Sequence, residues 1–377
     1  MVNRPFWLKQ ITDSWEKAPI VWLTGVRRVG KTMLAQALPD TLFVNCDLPS
    51  ASRELADPEV FFSNTDASHI VLDEVHQLPD PSRVLKIAAD AFQNLRILAT
   101  GSSTLSATAK FRDSLTGRKR EVRLTPVLFS ELENFGVRDI RARLLSGGLP
   151  QPLLAGVRDP MYYQEWMDSY FARDVQELFR VGKRREYLLL AELLLRQSGG
   201  LFEVTSLSRD TGLTRPTVLN YMEALETTHV IQILRPWSGG GTRELLRQPK
   251  VYGFDTGFVC HALGYETLHD SNLGLLWEHL VLDELRSQLP ARDVCYWRDK
   301  SQREIDFVLP RGRGACDTVE CKWNPDSFDP AHLRNFRGLY PEGENWVISP
   351  RVPRRYTRRY GDLSVHFATP SKWDLQT

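Results

Sequence analysis

Residues 21–38 read VWLTGVRRVGKTMLAQAL, an apolar strand pattern that runs into a glycine-bracketed loop and out into a helix. Ile20, Val21, Trp22 and Leu23 have the character of a buried strand, and Met33, Leu34, Ala37 and Leu38 recur at helical spacing. Between them lies GVRRVGKT, residues 25–32, which fits GxxxxGK(S/T) with the strand and helix that such a loop requires. Gly25 and Gly30 allow the backbone to turn tightly around an anion. The backbone N–H groups of Val26, Arg27, Arg28 and Val29 would point at phosphate oxygens, Lys31 would reach the β and γ oxygens, and the Thr32 hydroxyl would stand by a magnesium ion. The loop therefore predicts an ATP site with Mg²⁺.

A second carboxylate-bearing strand should serve the same metal. HIVLDEVHQLPD, residues 69–80, supplies it, because an apolar run ends on Asp73 and Glu74. Asp73 would hold Mg²⁺, and Glu74 would polarise the water that attacks the γ-phosphate. A third strand, LRILATGSS at residues 95–103, ends in small polar residues. Further on, Arg118 follows a glycine and opens the basic trio Arg118, Lys119, Arg120.

Composition bounds the rest. The chain has 377 residues, 42% apolar and 25% charged, with net charge +1, which suits a globular protein of two or three domains and gives no bulk attraction to nucleic acid. Nothing approaches the roughly 18 consecutive apolar residues of a membrane helix. With no leader pattern at the N-terminus, a cytoplasmic location is expected. The five cysteines are scattered, without the spacing of a zinc site or a disulfide framework. Arginine is concentrated in RVPRRYTRRY, residues 351–360, either a solvated surface or a phosphate-contacting patch.

The run GVRRVGKT, FVNCDLPS, LDEVHQLPD, LATGSS, SLTGR and TPVLFSELE resembles a widespread prokaryotic family of AAA+ ATPases whose C-terminal half is a separately named domain of unknown function. SGGLP (146–150), YFARDV (170–175), KVYGFDTGF (250–258), LGLLWEHLVLDEL (273–285) and YWRDKSQREIDFVL (296–309) continue the resemblance over nearly the whole chain. Val26 departs from it, since the family more often has proline there. The resemblance implies a sensor residue on the strand between those of the phosphate loop and of Asp73, with Thr100 and Ser102 as candidates. It implies subunits arranged in a ring, with a hexamer as the expected size, and it makes Arg118 either an arginine finger for a neighbouring subunit or a plain surface residue.

The expected architecture is α/β in four parts: a P-loop AAA+ core (1–136), a helical lid (137–195), a winged helix (196–258) and an α/β restriction-endonuclease-like domain (259–377). In the third part, Val204 and Leu207 open a short helix that stops at Gly212, and Thr214 caps a second with Val218, Tyr221, Met222 and Leu225 on one face. Two strand-like runs flank SGGGTRE. In a winged helix on DNA, Arg215, Thr217 and Asn220 would face bases or phosphates, and Arg243 on the wing would reach the backbone; such modules also bind proteins.

In the fourth part, REIDFVLPRGRGACDTVECKW, residues 303–323, reads as two strands around a turn. Glu304 and Asp306 share one face, as do Glu320 and Lys322. This is the arrangement of PD-(D/E)xK nucleases: Asp306 and Glu320 would bind a second Mg²⁺ or a Mn²⁺, Lys322 would position the attacking water, and Glu278 would complete the shell. Many such domains have lost cleavage and kept binding. In a nucleic-acid-binding reading, Arg354, Arg355 and Arg358 would contact phosphates. The functional expectation is an ATP-driven motor or remodeller of DNA, branched DNA of recombination or repair included. The alternatives are an ATP-regulated signalling or defence switch, and an ATPase whose C-terminal modules only bind proteins.

Overall fold

The computed structural model describes residues 2–101, 115–176, 181–238, 248–289, 293–312 and 314–373. Strand β1 (Ile20–Thr24) is buried at every position, as a central strand covered on both faces must be. It lies in a sheet of order β2-β3-β4-β1-β5, with β2 Leu42–Asn45, β3 His69–Asp73, β4 Arg96–Thr100 and β5 Lys119–Arg123. All neighbouring pairs are parallel. Side chains alternate across it: Val21, Leu23, Val71 and Leu98 pack with Trp7 and Trp15 on one face, whereas Trp22, Ile70, Leu72 and Ile97 pack with Phe62 and Leu85 on the other. Because the strands are parallel, Thr24, Asp73 and Thr100 all arrive at the same carboxyl edge, where ligands of such sheets bind.

Helices Ile140–Ser146, Pro150–Ala155 and Pro160–Tyr170 follow, and the last continues without a break as a π-type turn, Phe171–Val175. Helix Arg184–Arg196 leads to a pair, Val204–Thr211 and Arg215–Thr227. The first of that pair stops at Gly212 with φ of +71°, and the second is capped by the Thr214 side chain, which accepts from the Thr217 N–H. An antiparallel pair, β6 (Ile231–Leu234) and β7 (Lys250–Gly253), comes next.

The SGGLP and GFDTGF segments meet here. Buried Asp255 accepts hydrogen bonds from the N–H groups of Gly148 (2.6 Å), Leu149 (3.2 Å) and Gly257 (2.8 Å). A Cβ at Gly147 would fall 1.9 Å from Asp255 Oδ1, so only glycine permits this approach.

Helix Asp270–Gln288 then crosses a six-stranded mixed sheet of order β12-β13-β11-β10-β9-β8. Its strands are β8 Cys295–Arg298, β9 Glu304–Pro310, β10 Cys316–Cys321, β11 Asn345–Ile348, β12 Tyr356–Tyr360 and β13 Leu363–Ala368. Helix Ala331–Leu339 joins the other face through Leu333 and Phe336, which pack with Trp297 and Val365. One apolar cluster runs through all four expected parts, from Trp7 and Leu34 through Trp166, Leu194 and Leu225 to Trp277 and Trp346.

Candidate functional site

The phosphate loop turns on Gly25, with φ of +140°, and Gly30, with φ of +101°. A Cβ on Gly25 would meet the Leu124 carbonyl oxygen at 2.4 Å. Val26 and Val29 are buried in the apolar core, which accounts for an apolar side chain at the position where the family more often has proline. The Lys31 ammonium folds over the loop and donates to the carbonyls of Gly25 (2.9 Å) and Val26 (3.3 Å). Burial lowers its pKa, against the pull of Glu74, Asp174 and Asp73.

Asp73 is the centre of a polar knot. Its carboxylate accepts from the Thr32 hydroxyl at 3.0 Å and from the Thr100 hydroxyl at 2.6 Å, and Thr100 Oγ1 in turn accepts the Glu74 N–H at 3.0 Å. That bond holds Glu74 in the left-handed conformation, φ +55°, and its carboxylate lies 3.2 Å from the His76 ring nitrogen Nδ1. Burial pushes the Glu74 pKa up, but the bond with His76 and the charges of Lys31 and Arg27 outweigh it and leave the group below the ordinary glutamate range. Thr32 and Asp73 present hard oxygens side by side. They fit Mg²⁺, which takes one or two protein oxygens and completes its octahedron with phosphate and water.

Two cavities flank the loop. The larger, about 630 Å³, lies between Gly25–Lys31 and Glu74 on one side and Tyr170, Arg173, Asp174 and Thr228 on the other. The second, about 540 Å³, has Val2, Met33, Phe135, Pro150 and Leu154 on its walls. His76, Tyr170 and Asp174 were not singled out by sequence reasoning, because their approach to Lys31 depends on long-range packing. The recurrence of YFARDV among the family motifs was the one available signal.

Other expected site residues lie elsewhere. Arg118 precedes β5 at the amino end of the sheet, where its carbonyl accepts from Ile20 N, and the length of β1 separates it from the loop by about 15 Å. Its guanidinium binds Asp90 at 2.5 and 3.1 Å. Ser102 and Arg243 lie outside the described residues. Arg215 and Asn220 are exposed on helix Arg215–Thr227, and Thr217 is half-buried with its hydroxyl on Thr214 at 2.8 Å. Arg354, Arg355 and Arg358 are exposed on and beside edge strand β12, where Arg355 lies 4.7 Å over the Trp346 ring and Arg358 5.9 Å over that of Tyr356.

The C-terminal carboxylates are gathered as the helix-strand-strand order suggests, but they do not form the expected metal shell. Lys322 Nζ lies 2.7 Å from Glu320 and 3.6 Å from Asp306, whose Oδ2 also accepts the Cys321 N–H at 2.7 Å. Lys250 of β7 reaches in to Glu278 at 3.3 Å and Glu304 at 2.5 Å, and the Tyr252 hydroxyl donates to Glu278. Two ammonium groups thus stand among the carboxylates Glu278, Asp306 and Glu320. Among the described residues no group of three or more His, Cys, Asp or Glu side chains is placed to hold a metal ion. Burial pushes Glu278 up to about 7 and Glu320 up to about 8, against the pull of Lys250 and Lys322.

Residues 17–133 match the family described as "AAA domain", residues 137–269 a domain of unknown function (DUF8612), and residues 273–362 a second (DUF4143). Uncharacterized proteins Rv2008c of Mycobacterium tuberculosis and Mb2031c of Mycobacterium bovis are each 30% identical over 311 residues, covering 78% of this chain and 68% of theirs. The chain belongs to their family. An uncharacterized protein of Haemophilus influenzae is 21% identical over 345 residues, 82% of this chain and 84% of its own. Among solved structures, the Walker-type ATPase paby2304 of Pyrococcus abyssi aligns at 17% identity and a TM-score of 0.46, over 70% of this chain and 96% of that one. Residues 17–133, which match the AAA domain, carry the parallel P-loop sheet of a mixed α/β fold. Among the described residues no helix is long and apolar enough to cross a membrane.

Proposed function

We propose that the chain hydrolyses ATP in the larger cleft and uses the turnover to move or remodel DNA held by its C-terminal half. One observation carries the first part: the hydroxyls of Thr32 and Thr100 converge on Asp73 while Glu74 is held beside them, turned back and ionised. In this reading Lys31 leaves the loop carbonyls for the β and γ oxygens, and Glu74 polarises the attacking water. Thr32 and Asp73 would hold Mg²⁺, whose charge offsets that of the phosphates. The nucleoside end would occupy the second cavity, which borders Met33 and Leu34, the residues directly after the phosphate loop. The test is phosphate release by Glu74→Gln, which should retain nucleotide binding and lose about 10²- to 10³-fold in turnover. A variant as fast as the parent would sink the assignment.

For DNA, the support is the layout of two helices and a strand pair with Arg215 and Asn220 exposed, together with the arginines of β12 on a free sheet edge. We read residues 196–258 as a winged helix and 259–377 as a nuclease-like fold that binds without cutting. The lysine-filled carboxylate cluster favours that reading over an active nuclease. Branched DNA of recombination or repair is the substrate we would try first. Assembly of several copies, with a hexamer the expected size, is supported by the apolar side chains exposed beside the phosphate loop, Met33 and Leu154. Arg118, far from its own loop, could serve only a neighbour's.

A second reading, an ATP-regulated switch, draws on the contact of Thr228, at the end of helix Arg215–Thr227, with the cleft. ATP turnover measured with and without linear, nicked and branched DNA, beside oligomer mass, separates the two. DNA-stimulated turnover by a ring supports the motor, and DNA-indifferent turnover by a monomer supports the switch.

A further inference from the structure

The helix that starts at Pro160 changes at Phe171 into a π-type turn, and this turn forms the cleft wall opposite the phosphate loop. A π turn sacrifices regular helical hydrogen bonding and tends to mark a functional site. Here it brings Arg173 and Asp174 to the cleft. The Asp174 carboxylate lies 3.8 Å from the guanidinium of Arg27, the third residue of the phosphate loop. This is a long ion pair, and the buried Arg27 Nε has no hydrogen-bond partner among the described residues. The Arg27 backbone is nevertheless fixed, since its carbonyl accepts from Trp166 Nε1 at 3.1 Å. Arg27 is thus anchored at its main chain and weakly held at its head.

A γ-phosphate beside Lys31 would offer Arg27 more charge and more acceptor oxygens than Asp174 does. We infer that Arg27 exchanges Asp174 for the γ-phosphate when ATP binds, which makes Asp174 a positioning residue by which the cleft distinguishes ATP from ADP. This rests on the nucleotide reading above and adds a residue to it. The released carboxylate then faces a triphosphate of like charge, and the turn is pushed from the loop. Burial raises the Asp174 pKa, and Arg27, Lys31 and His76 lower it, so two of the cations that favour the ionised carboxylate are ones the phosphate would claim.

The displacement has a route outward. Tyr170, the residue before the turn, shares hydrogen bonds with Thr228 at 2.6 Å and Tyr187 at 2.8 Å. Thr228 caps the end of helix Arg215–Thr227, the helix that the proposed function places on DNA. A shift of the turn therefore moves the end of that helix with no intervening element.

The test titrates a fluorescent, non-hydrolysable ATP analogue and fluorescent ADP into the full chain and into Asp174→Asn. Removing the repelling charge should tighten the ATP analogue about three- to tenfold while ADP changes less than about twofold. Equal changes for both nucleotides, or none for either, overturn the assignment. Arg27→Gln carries the same test from the other partner: the ATP analogue should weaken and ADP should not, and Asp174→Glu should restore the parent's preference. Should Asp174→Asn fail to fold, the Arg27 variant decides alone. Hydrogen exchange over residues 215–228 should differ between the ATP-analogue and ADP states in the parent and become the same in Tyr170→Phe; a difference that survives in the variant overturns the relay. A parent chain that binds neither nucleotide defeats the ATP reading itself, a result distinct from either of these.

Discussion

The nucleotide site and the C-terminal cluster use the same side chains to opposite ends. Each gathers carboxylates around lysine: Asp73 and Glu74 at the end of β3 near Lys31, and Glu278, Glu304, Asp306 and Glu320 around Lys250 and Lys322. At the first, hydroxyls hold Asp73 and the lysine is parked on loop carbonyls, so the cleft between Lys31 and Glu74 stays open to a ligand. At the second, Lys250 and Lys322 reach Glu278, Glu304, Asp306 and Glu320 directly, so the lysines are already occupied by the protein's own carboxylates. A motif written as Asp and Glu-x-Lys does not tell which of these two arrangements it will adopt. The neighbours decide it.

Four measurements press on this contrast. The largest effect belongs to Lys31→Ala, which should reduce ATP turnover by about 10³-fold, whereas Asp306→Asn should leave turnover unchanged. Metal-dependent DNA cleavage that disappears in Asp306→Asn would break the contrast outright. Next comes Lys250→Met. It leaves Glu278 in low-dielectric surroundings without its cation, while Glu304 keeps Arg298 at 3.2 Å, and should cost about 3 kcal/mol in urea unfolding. The folded pKa of Glu278 already stands above its unfolded value, so folding takes up a proton there and stability falls as pH rises through about 7. Without Lys250 that pKa climbs further, and the penalty of the variant should be larger at pH 8 than at pH 6. Equal penalties at both would mean that Lys250 acts through packing alone.

How much of this could be read from the chain follows the same line. Gly25, Lys31, Thr32 and Asp73 were legible because a strand, a tight turn and a helix N-terminus place them by local geometry. Thr100 could not be separated from Ser102 by spacing; its bonds to Asp73 and Glu74 come from the pairing of β4 with β3. Lys250 lies 28 residues from Glu278 and 54 from Glu304 along the chain, and a hairpin must fold to deliver it, so no pattern near either glutamate announces it. Arg118 shows another limit of spacing. Its place after a glycine suited a finger, but its observed partner Asp90 lies on a helix outside any motif.

The two smaller tests concern exposed and semi-exposed charge. Replacing Arg354, Arg355 and Arg358 together with glutamine should flatten the salt dependence of DNA binding by up to about 0.9 in log–log slope per lost phosphate contact. No change in slope would remove β12 from the interface. His76→Asn takes away the bond that offsets burial at Glu74, so the Glu74 pKa should rise and the acid limb of the turnover profile should move to higher pH. An unmoved limb would place the titrating group elsewhere.

The apolar cluster that joins Trp7 to Trp346 has a consequence for heat and for the scalpel. Modules with wholly separate cores melt one after another and survive being cut apart, but these are joined by one cluster that runs through all of them. Severing the chain after residue 136 or 258 would lay bare faces on both pieces. The protein should melt in one cooperative transition, and the segments that match three separately named domains should have to be made, folded and degraded together.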